Sequence, residues 1–252
     1  MPRYDFTSHR LYVDAPLARD ARIDLDPGQT NYIRNVLRLP EGAEILTFNG
    51  RDGEWRSMVS TPSRKQVALI AKEMIRPQEA GFDLHYLFAP LKHARQDYMV
   101  QKAVEMGAGQ LRPVLTRRTQ MDRLNIERMR ANAIEAAEQC GILSIPEIAP
   151  TTRLDALLGG WDKDRLLIFC DEDAPVRNPL DALRGHPATT RRSRPLAVLI
   201  GPEGGFDQQE RDALLSLSQV VRLSLGPRIL RADTAAVAAL ALIQAELGDW
   251  GG

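Results

Sequence analysis

Two loops concentrate the residue types from which a ligand site is made. One reads Gly201-Pro202-Glu203-Gly204-Gly205-Phe206, and the other reads Leu225-Gly226-Pro227-Arg228-Ile229-Leu230-Arg231-Ala232-Asp233-Thr234-Ala235; each follows an apolar run of strand length. Glycines let a flat ligand come close to the backbone, and prolines restrain the loops. At the carboxyl ends of parallel strands, with helix N-termini behind them, such loops lie where open α/β sheets bind ligands. Phosphate cradling is not the expected chemistry. Neither loop is a G-x-G-x-x-G or a G-x-x-x-x-G-K-[ST] run, so a dinucleotide or nucleoside triphosphate has little support. Taken singly, each loop also reads as a tight structural turn.

Other chemistries find less in the chain. Cys140 and Cys170 are far apart and form no C-x-x-C pair, and His9, His85, His93 and His186 lack metal-ligand spacing, so no metal is expected. The 252 residues carry 33 basic and 33 acidic side chains and a formal net charge of zero, which excludes nucleic-acid binding through bulk charge. Any such contact must be local. Basic residues do cluster, at Arg34 and Arg38, Arg64 and Lys65, Lys92 and Arg95, Arg117 and Arg118, and Arg191 to Arg194, although each cluster alone reads as a solvated face. No apolar stretch is long enough for a membrane span, and residues 1–10 lack the apolar core of a secretion signal, so a cytoplasmic protein is expected.

The elements that must position the loops follow from periodicity and punctuation. Strands are expected at 44–48, 55–60 and 66–75, with Asn49-Gly50 and Asp52-Gly53 as hairpin signals and a helix over 27–39 ahead of Pro40. This predicts a small β-barrel with one helix. Proline, glycine and charge between Arg76 and Gly81 mark a linker, giving a domain at 1–76, a linker at 77–82 and a second domain at 83–252. Beyond it, strands at 84–89, 111–115, 166–170, 196–200 and 220–225 alternate with helices at 96–106 and 125–139, a short one after Thr152, one opening at Asp207 with Glu210 as a capping pair, and one at 233–247. That rhythm predicts an α/β domain with a mostly parallel sheet covered on both faces. The last helix is apolar all round in its first half, so burial on all sides is expected, within the monomer or at a subunit interface.

The loop pair resembles the 16S ribosomal RNA uracil-N3 methyltransferases of the SPOUT superfamily, and the likeness extends over nearly the whole chain. Its most specific pieces are Val198-Leu199-Ile200-Gly201-Pro202-Glu203-Gly204-Gly205 against that family's LLIGPEGG, and Leu225 to Arg231 against LGPRILR. Supporting pieces are Gln101 to Gly107, similar to QKATELG, then Glu138-Gln139-Cys140-Gly141 with Ile145-Pro146-Glu147-Ile148, and Val36-Leu37-Arg38 with Phe48-Asn49-Gly50 in the first domain. Ile142 stands where an arginine is common, Asp233 where a glutamate is, and Lys92-His93-Ala94-Arg95 is a variant of the charged strand-end motif.

The resemblance implies a PUA-like RNA-binding barrel, a methyltransferase domain tied in a C-terminal trefoil knot, and a homodimer that gives the last helix a partner. It implies S-adenosylmethionine bound by Leu199, Gly201, Glu203, Gly204, Leu225, Gly226, Ile229, Leu230 and Thr234. Its substrate would be 16S ribosomal RNA or the small ribosomal subunit. Uracil N3 becomes nucleophilic only when its proton leaves, so an anion must be stabilised. Arg231 is the candidate for that task, its alternative being a capping or interfacial ion pair. Asp233 and Glu203 are candidates for the base, which stays unassigned, because capping the last helix is the more natural use of Asp233 or Thr234. Because N3 lies on the pairing edge, the base must be unpaired or flipped out. Arg10, Arg34 and Arg38 in the barrel, and Lys92, Arg95 and Arg118 near strand ends, are candidate phosphate contacts. A SPOUT enzyme acting on another RNA atom and a non-catalytic RNA-binding assembly factor are the alternatives; intact cofactor loops count against the second.

Overall fold

A computed structural model describes residues 7–63, 66–121, 123–190 and 194–251; Arg64, Lys65, Arg191 and Arg192 lie outside the described residues. Its backbone divides into two compact units, Met1–Ala80 with Ile134–Ile145, and Gly81–Ala133 with Pro146–Gly252.

The first unit contains β1 (Arg10–Tyr12), β2 (Arg22–Asp24), α1 (Pro27–Asn31), β3 (Glu44–Phe48), β4 (Glu54–Ser63) and β5 (Gln66–Arg76). Their sheet has the order β1-β3-β4-β5-β2, with β1 parallel to β3 and the other pairs antiparallel. Three register shifts between β4 and β5 bend the ribbon, as bulges do. Leu11, Val13, Ile23, Ile33, Ile45, Val59, Val67 and Leu69 form its core. In the hairpin turn, Asn49 Oδ1 accepts from the Arg51 and Asp52 amides, and Gly53 is required twice over, by its φ of +80° and by the Arg76 carbonyl oxygen, which would lie 2.4 Å from a Cβ there.

The helix expected over 27–39 takes a different form. After five residues, α1 gives way to a π-helical turn, Tyr32–Val36, in which the Leu37 amide bonds to the Tyr32 carbonyl. The wider turn spoils the i, i+3 alignment read from sequence: Ile33 is fully buried, whereas Val36 is 61% exposed. The short β1 and β2 were not expected, since three residues are too few to show alternation.

The second unit comprises β6 (Leu84–Phe88), α2 (His93–Glu105), β7 (Gln110–Leu115), α3 (Ile126–Cys140), β8 (Glu147–Ile148), β9 (Thr152–Arg153), α4 (Leu154–Gly159), β10 (Leu166–Cys170), α5 (Pro179–Gly185), β11 (Leu196–Ile200), α6 (Gln208–Leu215), β12 (Val220–Leu223) and α7 (Ala232–Glu246). The C-terminal end of α3 belongs to the first unit. The sheet runs β12-β10-β11-β6-β7-β8, every pair is parallel, and β9 pairs with the far end of β7. β11 is buried at all five positions, as a strand covered on both faces must be. Leu154 and Leu157 of α4 and Leu214 of α6 pack on Leu87, Leu167, Phe169, Ala197 and Leu199 on one face of the sheet.

α7 contacts α2, α5 and β11. It is not buried all round. Ala232, Ala236, Ala239, Leu240, Ile243 and Gln244 are buried, whereas Val237, Ala238, Ala241 and Leu242 on the remaining faces are half-buried. Gln244 meets its polar needs through the Met106 carbonyl and the Asp249 amide.

Candidate active site

Because the sheet is parallel, β10, β11 and β12 deliver their following loops to one edge. β11 and β12 flank β10, so the loops at 201–206 and 224–231 stand about 10 Å apart, two strand spacings, across the end of β10. That separation suits a flat ring lying between two walls of backbone. Gly226 fits the use: its φ of +96° requires glycine, and a Cβ built there meets nothing within 4 Å. In the same loop Ile229 is 97% exposed, an apolar side chain held in water, and Leu230 is half-buried. These features fit an adenosine-bearing cofactor.

The glycine-rich first loop is held from several directions. A Cβ at Gly201 would come within 2.5 Å of the Phe206 ring, which itself packs edge-on against Phe169. Asp207 and Glu210 form the expected capping box at the start of α6, and Arg117 binds Asp207 at 2.8 Å and, through its amide, Glu210. Arg118 donates to the Gly204 carbonyl at 2.6 Å, and Arg95 pairs with Glu203. Glu203 is thereby engaged in fixing the loop. The side chain of Leu199 is buried in the core, so only its backbone is available to a ligand; Leu225 is half-buried, and Thr234 is exposed.

Arg231 is the N-cap of α7 but makes no capping hydrogen bond, and its exposed guanidinium has no ion-pair partner among the described residues. The first turn of α7, with its positive dipole end, therefore opens beside a free cation. Asp233, half-buried in that turn, accepts from the Thr234 amide at 2.8 Å through Oδ1.

The structure separates the basic candidates. Lys92, Arg95 and Arg118 line one pocket together with Pro202 and Glu203. Arg38 is exposed, in a left-handed conformation with φ +55°, and Arg34 reaches the Ser63 carbonyl at 2.8 Å. Arg10 requires correction as a phosphate contact. It is 8% exposed, and its Nε binds Glu54 at 2.8 Å, while Arg76 holds the other oxygen of the same carboxylate at 2.6 Å. Burial and pairing, invisible in the sequence, make Arg10 a structural cation.

Sequence reasoning also missed Asp171, which immediately follows β10 and is 5% exposed. It takes Arg211 of α6 at 3.1 Å and Arg222 of β12 at 2.7 Å, tying together the elements that carry both loops. A lone aspartate after an apolar strand was the only signal. Among the described residues no cluster of His, Cys, Asp or Glu could hold a metal, and no helix is long and apolar enough to cross a membrane.

Comparison with known proteins agrees with this architecture. Residues 78–244 match the model of an RNA methyltransferase domain, and residues 25–72 that of an RNA methyltransferase PUA domain. The ribosomal RNA small subunit methyltransferase E of Rickettsia conorii is 27% identical over 237 residues, covering 94% of this chain and 95% of that protein. A Legionella pneumophila methyltransferase, solved with S-adenosylmethionine bound, is similar with a TM-score of 0.81 at 28% identity, covering 94% of this chain and 97% of that one. The Neisseria gonorrhoeae ribosomal RNA small subunit methyltransferase E, also bound to S-adenosylmethionine, has a TM-score of 0.82 at 22% identity, covering 96% and 99%, and speaks for the fold alone.

Proposed function

The chain belongs to the RNA methyltransferase family that it matches over residues 78–244, and from this premise we propose that it methylates N3 of a uridine in 16S ribosomal RNA of the small subunit, using S-adenosylmethionine. The observation that carries the reading is the pair of glycine-bearing loops that follow the parallel strands β11 and β12, with open space where a Cβ of Gly226 would stand, and with Arg231, which has no ion-pair partner among the described residues, at the start of α7. The relatives from Rickettsia and Legionella support the substrate and the cofactor respectively. We further propose the SPOUT knot through these loops, a PUA-like RNA-binding domain at 1–76 joined by 77–82 to the catalytic domain at 83–252, a homodimer, and work in the cytoplasm.

In this reading Gly201, Gly204, Leu225, Gly226, Ile229, Leu230 and Thr234 hold the cofactor, largely through backbone. When bound, it supplies a methyl group already activated on a sulfonium. The protein must then make uracil N3 a nucleophile. Arg231 donates to a carbonyl oxygen where negative charge develops, and the first turn of α7 adds its dipole to the same end. Lys92, Arg95, Arg118, Arg34 and Arg38 position the RNA backbone, and the target base leaves its stack to enter the site.

Calorimetric titration of S-adenosylmethionine into wild type, Arg231→Ala and Gly226→Trp tests the assignment, with circular dichroism to check folding. Wild type and Arg231→Ala bind, Gly226→Trp does not, and only wild type yields 3-methyluridine on 16S ribosomal RNA. No binding by wild type, with ribosomal RNA present as well, overturns the reading.

A further inference from the structure

A cavity of about 270 Å³ opens where the end of β7 meets the N-terminal parts of α4 and α6, all within the second unit, and none of the roles assigned above uses it. At about 30 Å³ for each water it has room for roughly nine, close to the number of non-hydrogen atoms in one nucleobase. The half-buried Leu115 and Leu158 and the buried Leu154 give it an apolar wall.

Two lining arginines add a second kind of surface. Arg117 binds Asp207 at 2.8 Å and Gln209 at 2.5 Å through its two terminal nitrogens, and Arg153 meets both oxygens of Asp155 at 3.2 Å. Hydrogen bonds to a guanidinium lie in its plane, so these anchor the edges of both groups and leave their flat faces for stacking. Apolar side chains and guanidinium planes are what unpaired RNA bases stack on. A phosphate suits the cavity poorly, because the carboxylates of Asp155 and Glu210 line it as well.

The position fits a strand of RNA. Arg118, the residue after Arg117, lines the separate pocket that it shares with Lys92 and Arg95. Consecutive residues thus face two pockets, and a backbone gripped at one passes the other. The cavity stands at the end of β7, three strand spacings or about 14 Å from the end of β10, across which the cofactor loops face each other. That is too far for the target base itself and within reach of a nucleotide a few positions along.

We propose that this cavity is a second nucleotide subsite: it takes an unpaired base flanking the target uridine, stacked on the guanidinium planes of Arg153 and Arg117, and so fixes the register in which the strand presents its target. The subsite rests on the RNA methyltransferase reading and adds to it a contact with a base, which phosphate contacts do not supply.

The test compares full-length wild type with Arg153→Ala, which removes a stacking face at an exposed position, and Ala213→Trp, which fills the cavity from an exposed position of α6. Fluorescence anisotropy reads the affinity for 16S ribosomal RNA and for fragments around the methylated uridine, each with an abasic residue at one flanking position. Both variants bind RNA about tenfold more weakly, the effect of one stacked base, with S-adenosylmethionine affinity and melting temperature unchanged. In wild type one abasic position costs about the same factor, and in Arg153→Ala that position costs nothing further, as a direct contact requires. Should Ala213→Trp melt early, Arg153→Ala decides alone. Wild-type RNA affinity in Arg153→Ala overturns the proposal, as do two losses that multiply independently. Weaker binding to whole small subunits alone, with naked RNA bound as by wild type, overturns it too and gives the cavity to a ribosomal protein. Failure of the methylation reading shows as a wild type that yields no product, whereas failure of the subsite shows only in the variants.

Discussion

Glu138 accepts a hydrogen bond from the Tyr12 amide at 2.8 Å, yet burial, aided by nearby Glu135, pushes its carboxyl up to about 7. The folded chain thus binds this proton more tightly than the unfolded chain, whose ordinary value is 4.5. Stability falls as pH rises from the lower value to the higher and then levels off. Glu138→Gln keeps an oxygen for Tyr12 and removes the charge. Its melting temperature should match wild type below pH 4.5 and exceed it above pH 7 by roughly 2–6 °C, about 1–2 kcal/mol after screening at a partly exposed site. Calorimetric scans across that range decide it, and a constant offset between the two proteins would contradict it.

The loop at 201–206 is an element whose shape is imposed by neighbours. Arg118 grips the Gly204 carbonyl, and Arg95 grips Glu203. The same arginines line the pocket assigned to RNA, so the Arg118→Ala variant separates two roles. Loss of the charged donor should weaken S-adenosylmethionine binding without RNA by about tenfold, the effect of one charge-assisted hydrogen bond. Unchanged affinity in calorimetry would leave Arg118 to the RNA alone. The loops and strands themselves were legible because glycine, proline and long apolar runs are local signals; 44–48, 166–170 and 196–200 coincide with β3, β10 and β11. What was not legible depended on distant partners. Arg10 is basic in sequence but buried on Glu54, Asp171 gathers two arginines from 40 and 51 residues away, and the π turn at Tyr32–Val36 overrides a helical spacing.

For the whole molecule, a net charge of zero leaves recognition to local patches and leaves α7 to explain its composition. One face of α7 packs inward, but Ala238 and Ala241 look away from it, flanked by the half-buried Val237 and Leu242. A helix with no polar face on its outer side finds no reason in water alone. Its small side chains allow another helix to approach at the short end of the usual 8–10 Å, so a second copy of the chain is the expected cover. Ala241→Arg places a long charged side chain at the centre of that face, away from the inward-packed residues. Sedimentation should show wild type at twice the 28.1 kDa of the chain and Ala241→Arg at 28.1 kDa, with an unchanged melt of the monomer fold. A wild-type protein that sediments at 28.1 kDa at micromolar concentration would rule out the dimer and leave the outer face of α7 to another partner.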